Sequence, residues 1–390
     1  MLISPTARVV LALGTGQTLA WASSYYLPAI LARPMAASLG MAPSTLYAIF
    51  SGALLLAALL GPSVGRVIDR RGGRGVLVGS NLLFAAGLAA MALAQGPLSL
   101  GLAWALVGLG MALGLYETAF ATLAGLFGVA AKAPITGITL IAGFASTVGW
   151  PLSTLLEAQF GWRGACAAWA VLHLVLGLPL HRWLVPAAPP PVVKATADAG
   201  AVPQAPRHAM AALMVFSAAV TVLAGAIGTH LPALLQAAGS DAARALLAAS
   251  LIGPAQVAAR LLQFGALGGL HALSVARIAC AAQVLGGLVL LLAHGPAAAI
   301  AGVLLLGAGN GLQTIAKGTL PLAVFGPSGY GRRQGIIAAP GRILQAGAPL
   351  GFGVLLAVWG AGAAWGLVAL ALAALLSLAL LSCRSARQPD

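Results

Sequence analysis

Tyr26-Leu27-Pro28-Ala29-Ile30-Leu31 returns about 200 residues later as His230-Leu231-Pro232-Ala233-Leu234-Leu235, and both copies lie in long apolar runs. Four more pairs follow in the same order at about the same separation. Leu60-Gly61-Pro62 pairs with Ile252-Gly253-Pro254, Ala94-Gln95-Gly96-Pro97 with Ala293-His294-Gly295-Pro296, Phe127-Gly128 with Phe325-Gly326, and Pro151-Leu152 with Pro349-Leu350. Ordered matches of this kind mark an internal duplication. The apolar runs fall at 9–32, 43–64, 75–94, 98–126, 134–157, 163–184, 209–236, 243–265, 274–293, 297–325, 335–358 and 361–382. Each is long enough for a helix to cross a bilayer core about 30 Å thick. The breaks between them carry Gly, Pro or charge. A transmembrane barrel needs alternating segments of about ten residues, and the runs do not alternate. The Leu-Pro pairs predict a bend in the first and seventh spans.

Composition agrees. Of 390 residues, 61% are apolar and 7% charged, with a mean hydropathy of +1.00. A soluble domain spends about a quarter of its residues on charge to wet its surface, so this surface faces lipid. The fold class that follows is an all-α polytopic membrane protein: twelve transmembrane helices in two pseudo-symmetric six-helix bundles, 1–185 and 209–390. Between them, 186–208 reads PAAPPPVVKATADAGAVPQAPRH, the composition of an extended cytoplasmic linker. Two bundles in the same orientation match the parallel-repeat plan of secondary carriers.

The formal charge of +14 raises nucleic acid as a partner. The bases are scattered between apolar runs rather than striped along a polar face, which excludes it. They read instead as an orientation signal. With both termini in the cytoplasm, Arg8, Arg66, Arg70, Arg71, Arg74, Lys132, Arg182, Lys194, Arg207, Arg277, Arg332, Arg333, Arg384 and Arg387 lie inside. Only Arg33, Arg163 and Arg244 lie outside. The N-terminus imitates a secretory signal, with Arg8, an apolar run and Ala20-Trp21-Ala22-Ser23; because this run pairs with the seventh span, it is read as a working helix and not a cleaved leader. Cys166, Cys280 and Cys383 show no metal-type spacing.

The loop after the second span reads Gly65-Arg66-Val67-Ile68-Asp69-Arg70-Arg71-Gly72-Gly73-Arg74. Gly65 permits close helix approach, Asp69 offers an acid to a neighbouring helix end or Arg, and the arginines hold the loop in the cytoplasm. The stretch resembles the G-x-x-x-D-R-x-G-x-R signature of the major facilitator superfamily, with every fixed position present. That resemblance implies the superfamily fold and a conformational gate at Gly65, Asp69, Arg70, Gly72 and Arg74, where Asp69 helps latch the outward-facing state and breaks its contacts when the bundles rock. The second half departs from the signature: Gly253-Pro254-Ala255-Gln256-Val257-Ala258-Ala259-Arg260 has no acid, and a latch there is left with Arg260. Gly143 to Pro151 is similar in position to the antiporter motif of the superfamily, but Trp150 separates its Gly from its Pro; packing or a kink explains it equally.

Charges inside spans are costly and mark function by default. Glu117 lies in the fourth span and Lys317 in the tenth, at almost corresponding depths of the two repeats. One reading gives Lys317 a substrate carboxylate and Glu117 a coupling proton; the other is a structural ion pair or a snorkelling Lys. Arg342 opens the eleventh span and is either a second anion contact or an interface residue. His230 suits proton coupling or packing, and His173 reads as structural. Gln17, Trp21, Tyr25, Tyr26, Asn310 and Gln313 are read as cavity lining from the first and tenth spans. Glu157 and Arg163 read as solvated rim charges.

No nucleotide-binding loop, metal cluster or nucleophile constellation stands in the sequence, so neither enzyme activity nor a cofactor is expected. Gln17 to Tyr26 and Phe160-Gly161-Trp162-Arg163-Gly164-Ala165 are similar to monocarboxylate and oxalate/formate-type transporters. This resemblance implies a small organic anion moved with a proton by alternating access. The alternative is a proton-driven exporter of drugs, metabolites or oxyanions. A monomer in a bacterial cytoplasmic (inner) membrane is expected.

Overall fold

The computed structural model describes residues 4–187, 208–293 and 295–381, leaving out the side chains of residues 349 and 350. The linker 186–208, apart from its outermost residues, lies outside the described residues. So do Lys194, Arg207, Cys383, Arg384, Arg387 and the His294 member of the repeat.

All described regular structure is helical. In the first half α1 is Pro5–Ser23, α2 Leu27–Ser38, α3 Pro43–Arg71, α4 Arg74–Ala92, α5 Pro97–Gly114, α6 Tyr116–Phe127, α7 Lys132–Ala142 and α8 Ala145–Leu172, followed by π-helical turns His173–Gly177 and Leu180–Leu184. In the second, α9 is Ala209–Ala237, α10 Ala242–Ser250, α11 Ile252–Phe264, α12 Ala272–Leu292, α13 Pro296–Phe325, α14 Tyr330–Trp359 and α15 Ala364–Ala379. Among the described residues, eight stretches are long and apolar enough to cross a membrane. One of them, Pro97–Leu184, takes in the fourth, fifth and sixth spans, and another, Gly351–Ala379, the end of the eleventh and the twelfth. The first span is divided between α1 and α2, which completes the twelve.

Helix starts follow the proline rule. Pro5, Pro28, Pro43, Pro97 and Pro296 occupy first-turn positions, where a missing N–H costs nothing. The duplication is visible in the backbone as well. Gly128 closes α6 and Gly326 closes α13, at φ 56° and 72°, conformations that only glycine takes up cheaply. Gly161 at φ 66° divides α8 into the fifth and sixth spans.

The two Leu-Pro sites behave differently. The first span breaks between Ser23 and Leu27, whereas α9 carries Pro232 inside one continuous helix. At the break the Ser24 hydroxyl donates back to the Ala20 carbonyl. The equivalent residues before Pro232 are Ile227 and Gly228, and the neighbouring Thr229 makes a like bond to the Gly225 carbonyl without interrupting α9. The fourth span also breaks, at Leu115, whose ψ of −174° is extended.

The described residues of 1–192 and 327–339 form one compact unit, unit 1. Those of 193–326 and 340–390 form unit 2. Residues 327–339, which the sequence counts with the second bundle, therefore group with the first. Each unit has its own apolar core: Leu31, Phe84, Trp104 and Trp169 belong to unit 1, and Leu223, Leu235, Leu306 and Leu367 to unit 2. Outward faces stay apolar, with Leu98, Leu102 and Leu376 more than 60% exposed. Meanwhile Gln17, Asn81 and Gln283 are fully buried. This is the polarity of a protein whose solvent is lipid.

Candidate functional site

The signature loop is built by the end of α3 and the start of α14, both within unit 1. Asp69 Oδ1 accepts the Gly331 N–H at 2.8 Å and Oδ2 accepts the Arg332 N–H at 2.9 Å. These amides belong to the first turn of α14, which has no intrahelical acceptors for them and carries the positive end of the helix dipole. The contact requires glycine on both helices. A Cβ on Gly65 would overlap the Gly331 carbonyl, one on Gly331 would stand 2.6 Å from the Gly65 oxygen, and one on Gly335 2.6 Å from the Gly61 oxygen. Gly72 ends α3 at φ 76°, and a Cβ on Gly73 would overlap Thr122 of α6. Arg70 is exposed, Arg74 opens α4 half-buried, and Arg66 donates to Ser63 Oγ at 2.9 Å.

Glu117 stands in the first turn of α6, half-buried, just beyond the break at Leu115. Tyr330, the residue before Gly331, is buried at the head of α14 and lies ahead of the 335–358 span. Burial, and after it the charge of Glu117, raises the Tyr330 phenol well above its ordinary range. It stays a neutral hydroxyl.

Tyr116, the residue before Glu117 in the chain, joins a cluster of aromatic rings from three spans. Trp21 lies 5.3 Å from Tyr25, 6.0 Å from Tyr26 and 5.2 Å from Tyr116, centroid to centroid; Tyr26 meets Trp150 at 5.9 Å. The Trp21 indole N–H is buried without a hydrogen-bond partner. Gln17, read as lining, is instead closed off inside the unit. Its Nε2 donates at 2.6 Å to the Gly114 carbonyl, which the break in the fourth span leaves free. The rings of Tyr116 and Trp150 were not singled out in the sequence; their distance along the chain from Trp21 hides the cluster.

Unit 2 places Lys317 on α13, half-buried, with Nζ donating to Thr221 Oγ1 of α9 at 3.4 Å. The same threonine packs against α14: a Cβ on Gly341 would stand 3.2 Å from Thr221 Cβ. Arg342, half-buried, is the next residue. Two cations thus belong to helix turns that meet one threonine. No acid occurs in α9, α13 or α14, and the acid described in unit 2, Asp241, is bridged to Arg244 at 3.1 Å. Thr221 was not named from sequence, although it occupies the repeat position of Gln17.

Of the remaining residues, Arg260, Asn310, Gln313 and His230 lie in unit 2 and Arg163 in unit 1. Arg260 is 5% exposed and turns into α13, with Nη2 donating to Gln256 Oε1 and Thr314 Oγ1 at 3.4 Å each. Asn310 is half-buried on the same helix. Gln313 faces α12, donating to Gln283 Oε1, and is buried inside the unit. His230 is half-buried beside Phe352, with ring centroids 5.8 Å apart. Arg163, expected as a solvated rim charge, is exposed yet clamps Ser38 Oγ at 3.0 Å and the Ala94 carbonyl at 2.8 Å, with its guanidinium over Trp162.

The Major Facilitator Superfamily family model matches residues 13–339. No curated protein matches the sequence. Among solved structures the chain is similar to the human organic anion transporter MFSD10 (TETRAN), with a TM-score of 0.74 and 18% identity over 97% of this chain and 100% of that one. It is similar to the proton:xylose symporter XylE bound to 6-bromo-6-deoxy-D-glucose, with a TM-score of 0.74 and 13% identity over 96% and 94%. It is also similar to the transporter FucP in the outward conformation, with a TM-score of 0.72 and 12% identity over 97% and 100%. Likeness at these identities speaks for the fold alone.

Proposed function

The chain belongs to the Major Facilitator Superfamily and is a membrane transporter, a carrier and not an enzyme, and we propose that its cargo is a small organic anion of monocarboxylate type moved with a proton. The observation that carries this reading is the placement of Lys317 and Arg342 on turns that meet Thr221. Two cations in membrane-spanning helices attract an anion, and Arg342 supplies a fork suited to a carboxylate. In this reading Lys317 is the anion contact and Glu117 carries the proton. The Asp69 contact with α14 is the latch that the alternating cycle makes and breaks. In this reading both termini lie in the cytoplasm, the orientation that the bias of the basic loops supports, in a bacterial inner membrane.

The test is uptake into proteoliposomes together with a thermal-shift panel of carboxylates, amino acids, sugars and cationic drugs, since a ligand bound by the native state raises its stability. Carboxylates are expected to stabilise the protein, and K317A to abolish saturable carboxylate uptake while leaving the protein folded. Unchanged uptake in K317A refutes the assignment.

A second reading has its own observation. The ring cluster of Trp21, Tyr25, Tyr26 and Tyr116 is a surface that suits an organic cation, as in an exporter. Stabilisation by cationic drugs and not by carboxylates selects it.

A further inference from the structure

Unit 1 contains a buried polar chain that neither the signature loop nor Glu117 uses. His173 and His181 sit in the two π-helical turns at the end of the sixth span, 0% and 2% exposed. Irregular turns of this kind recur at functional positions. Asn81 of α4 lies between the two rings. Its Nδ2 donates to the Leu77 carbonyl at 2.8 Å and meets His181 Nδ1 at 2.7 Å; its Oδ1 meets His173 Nδ1 at 3.0 Å. Beyond it, His173 Nε2 meets Ser23 Oγ of α1 at 2.7 Å. The backbone is shaped to admit the chain: a Cβ on Gly16 would overlap the His181 ring, and one on Gly177 would overlap Asn81 Oδ1.

The partners settle the tautomers. Leu77 O can only accept, so the Asn81 amide nitrogen points to it and Oδ1 points to His173. His173 Nδ1 therefore carries a hydrogen, and in the neutral ring Nε2 accepts from the Ser23 hydroxyl. The same Asn81 nitrogen donates to His181 Nδ1, so His181 carries its hydrogen on Nε2, an atom buried without a partner.

The two histidines then differ in what a proton would do. On His181 it would set an N–H against the Asn81 amide at 2.7 Å, with the Leu77 carbonyl as a more distant acceptor at 3.4 Å. On His173 it would leave no polar atom unpaired: Nε2–H would donate to Ser23 Oγ, whose own hydrogen turns to the Leu19 carbonyl, 2.8 Å away. Phe84 stacks on the His173 ring at 4.7 Å, a face that attracts a cation.

We propose that His173 is a proton-binding site of the carrier, taking up a proton on Nε2 between Ser23 and Asn81. The balance is simple: one proton adds to the Nε2 lone pair, the Ser23 hydroxyl reorients, and the site gains one positive charge. The elements packed against it are α1, α4, α8 and the second π-helical turn. Their titratable or charged members are Arg8, Arg74, Glu157, Arg163, Cys166, His181 and Arg182, of which His181 joins the chain of hydrogen bonds. Ser23 is the last residue before the break in the first span, so movement at that break would change how the proton is held.

The proposal rests on the proton-coupled reading, and its test is independent of transport. The full chain, labelled with 15N-histidine in lipid nanodiscs, is titrated by NMR between about pH 5 and pH 8. The His173 signal is assigned by its loss in H173Q or, should that variant not fold, by its contact with labelled Phe84. The expected result is a change at His173 from the Nδ1–H tautomer to imidazolium. S23A, which removes the acceptor of the new N–H, should lower proton affinity about ten-fold, one pH unit. A His173 ring neutral throughout, or a midpoint indifferent to S23A, overturns the proposal. Native transport that ignores an imposed pH gradient would overturn the coupled reading while leaving the titration result in place.

Discussion

Replacing Gly335 by alanine tests whether helix packing sets the Asp69 contact. The new Cβ would stand 2.6 Å from Gly61 O, 2.7 Å from Gly61 C and 2.7 Å from Pro62 Cα. All three are backbone atoms, so no rotamer relieves the clash, and α3 and α14 must separate by about 0.8 Å to reach van der Waals contact. One turn away, the Asp69 bonds at 2.8 and 2.9 Å would lengthen to about 3.6 and 3.7 Å, past useful hydrogen-bond range. Bonds to a charged acceptor are each worth about 1.5–3 kcal/mol. Losing half of that total raises local opening of the α14 N-terminus by roughly 10- to 100-fold. Helix propensity acts in the opposite direction, since alanine favours a helix over glycine by about 1 kcal/mol, so the sign of the result decides which effect wins. Hydrogen exchange by mass spectrometry over the Gly331 and Arg332 amides reads it directly. Gly61→Ala is the control: its Cβ would meet nothing closer than 3.8 Å, and exchange should be unchanged or slightly slower. Equal protection in G335A and the native protein would refute the argument that these glycines hold the carboxylate in place.

Glu117→Gln should remove the response of uptake to an imposed pH gradient while leaving substrate-driven exchange, and a normal proton-driven signal in that variant rejects the coupling assignment. Thr221→Val should raise the KM for carboxylate uptake several-fold with little change in kcat, because it removes an oxygen that orients Lys317 and no charge; an unaltered KM places Lys317 elsewhere during binding. Arg163→Lys keeps the charge but cannot span Ser38, the Ala94 carbonyl and the Trp162 ring together. A loss of about 1 kcal/mol is expected at this exposed position, seen as a lower melting temperature, and an unchanged melting temperature would return Arg163 to a solvated rim charge.

The legible part of the fold is the part that depends on bulk physics. Long apolar runs must be helices in lipid, because hydrocarbon offers backbone groups no partner, so twelve spans could be counted. Gly128 and Gly326 could be matched because each terminates its helix at a positive φ, which favours glycine. The first-span and seventh-span prolines show where pattern stops being enough. The Leu-Pro pairs are alike, yet the first span breaks and the seventh runs on. Gln17 and Gln313 are buried against neighbouring helices: a polar residue in an apolar run faces either a cavity or a neighbouring helix, and periodicity does not distinguish them.

By itself, the sequence determined that this protein lives in lipid, that it is two copies of a six-span plan, and that its signature loop carries an acid needing a positive partner. Composition, duplication and charge bias are properties of the chain as a string, so they survive without coordinates. Only the tertiary structure decided which partner Asp69 has, namely the free amides of Gly331 and Arg332. It likewise brought Lys317 to Thr221, Trp21 to Tyr116, and His173 to Ser23 and Asn81. Each of those pairings joins residues from different helices, and side chains touch only within a few ångströms, a distance that packing sets and sequence spacing does not.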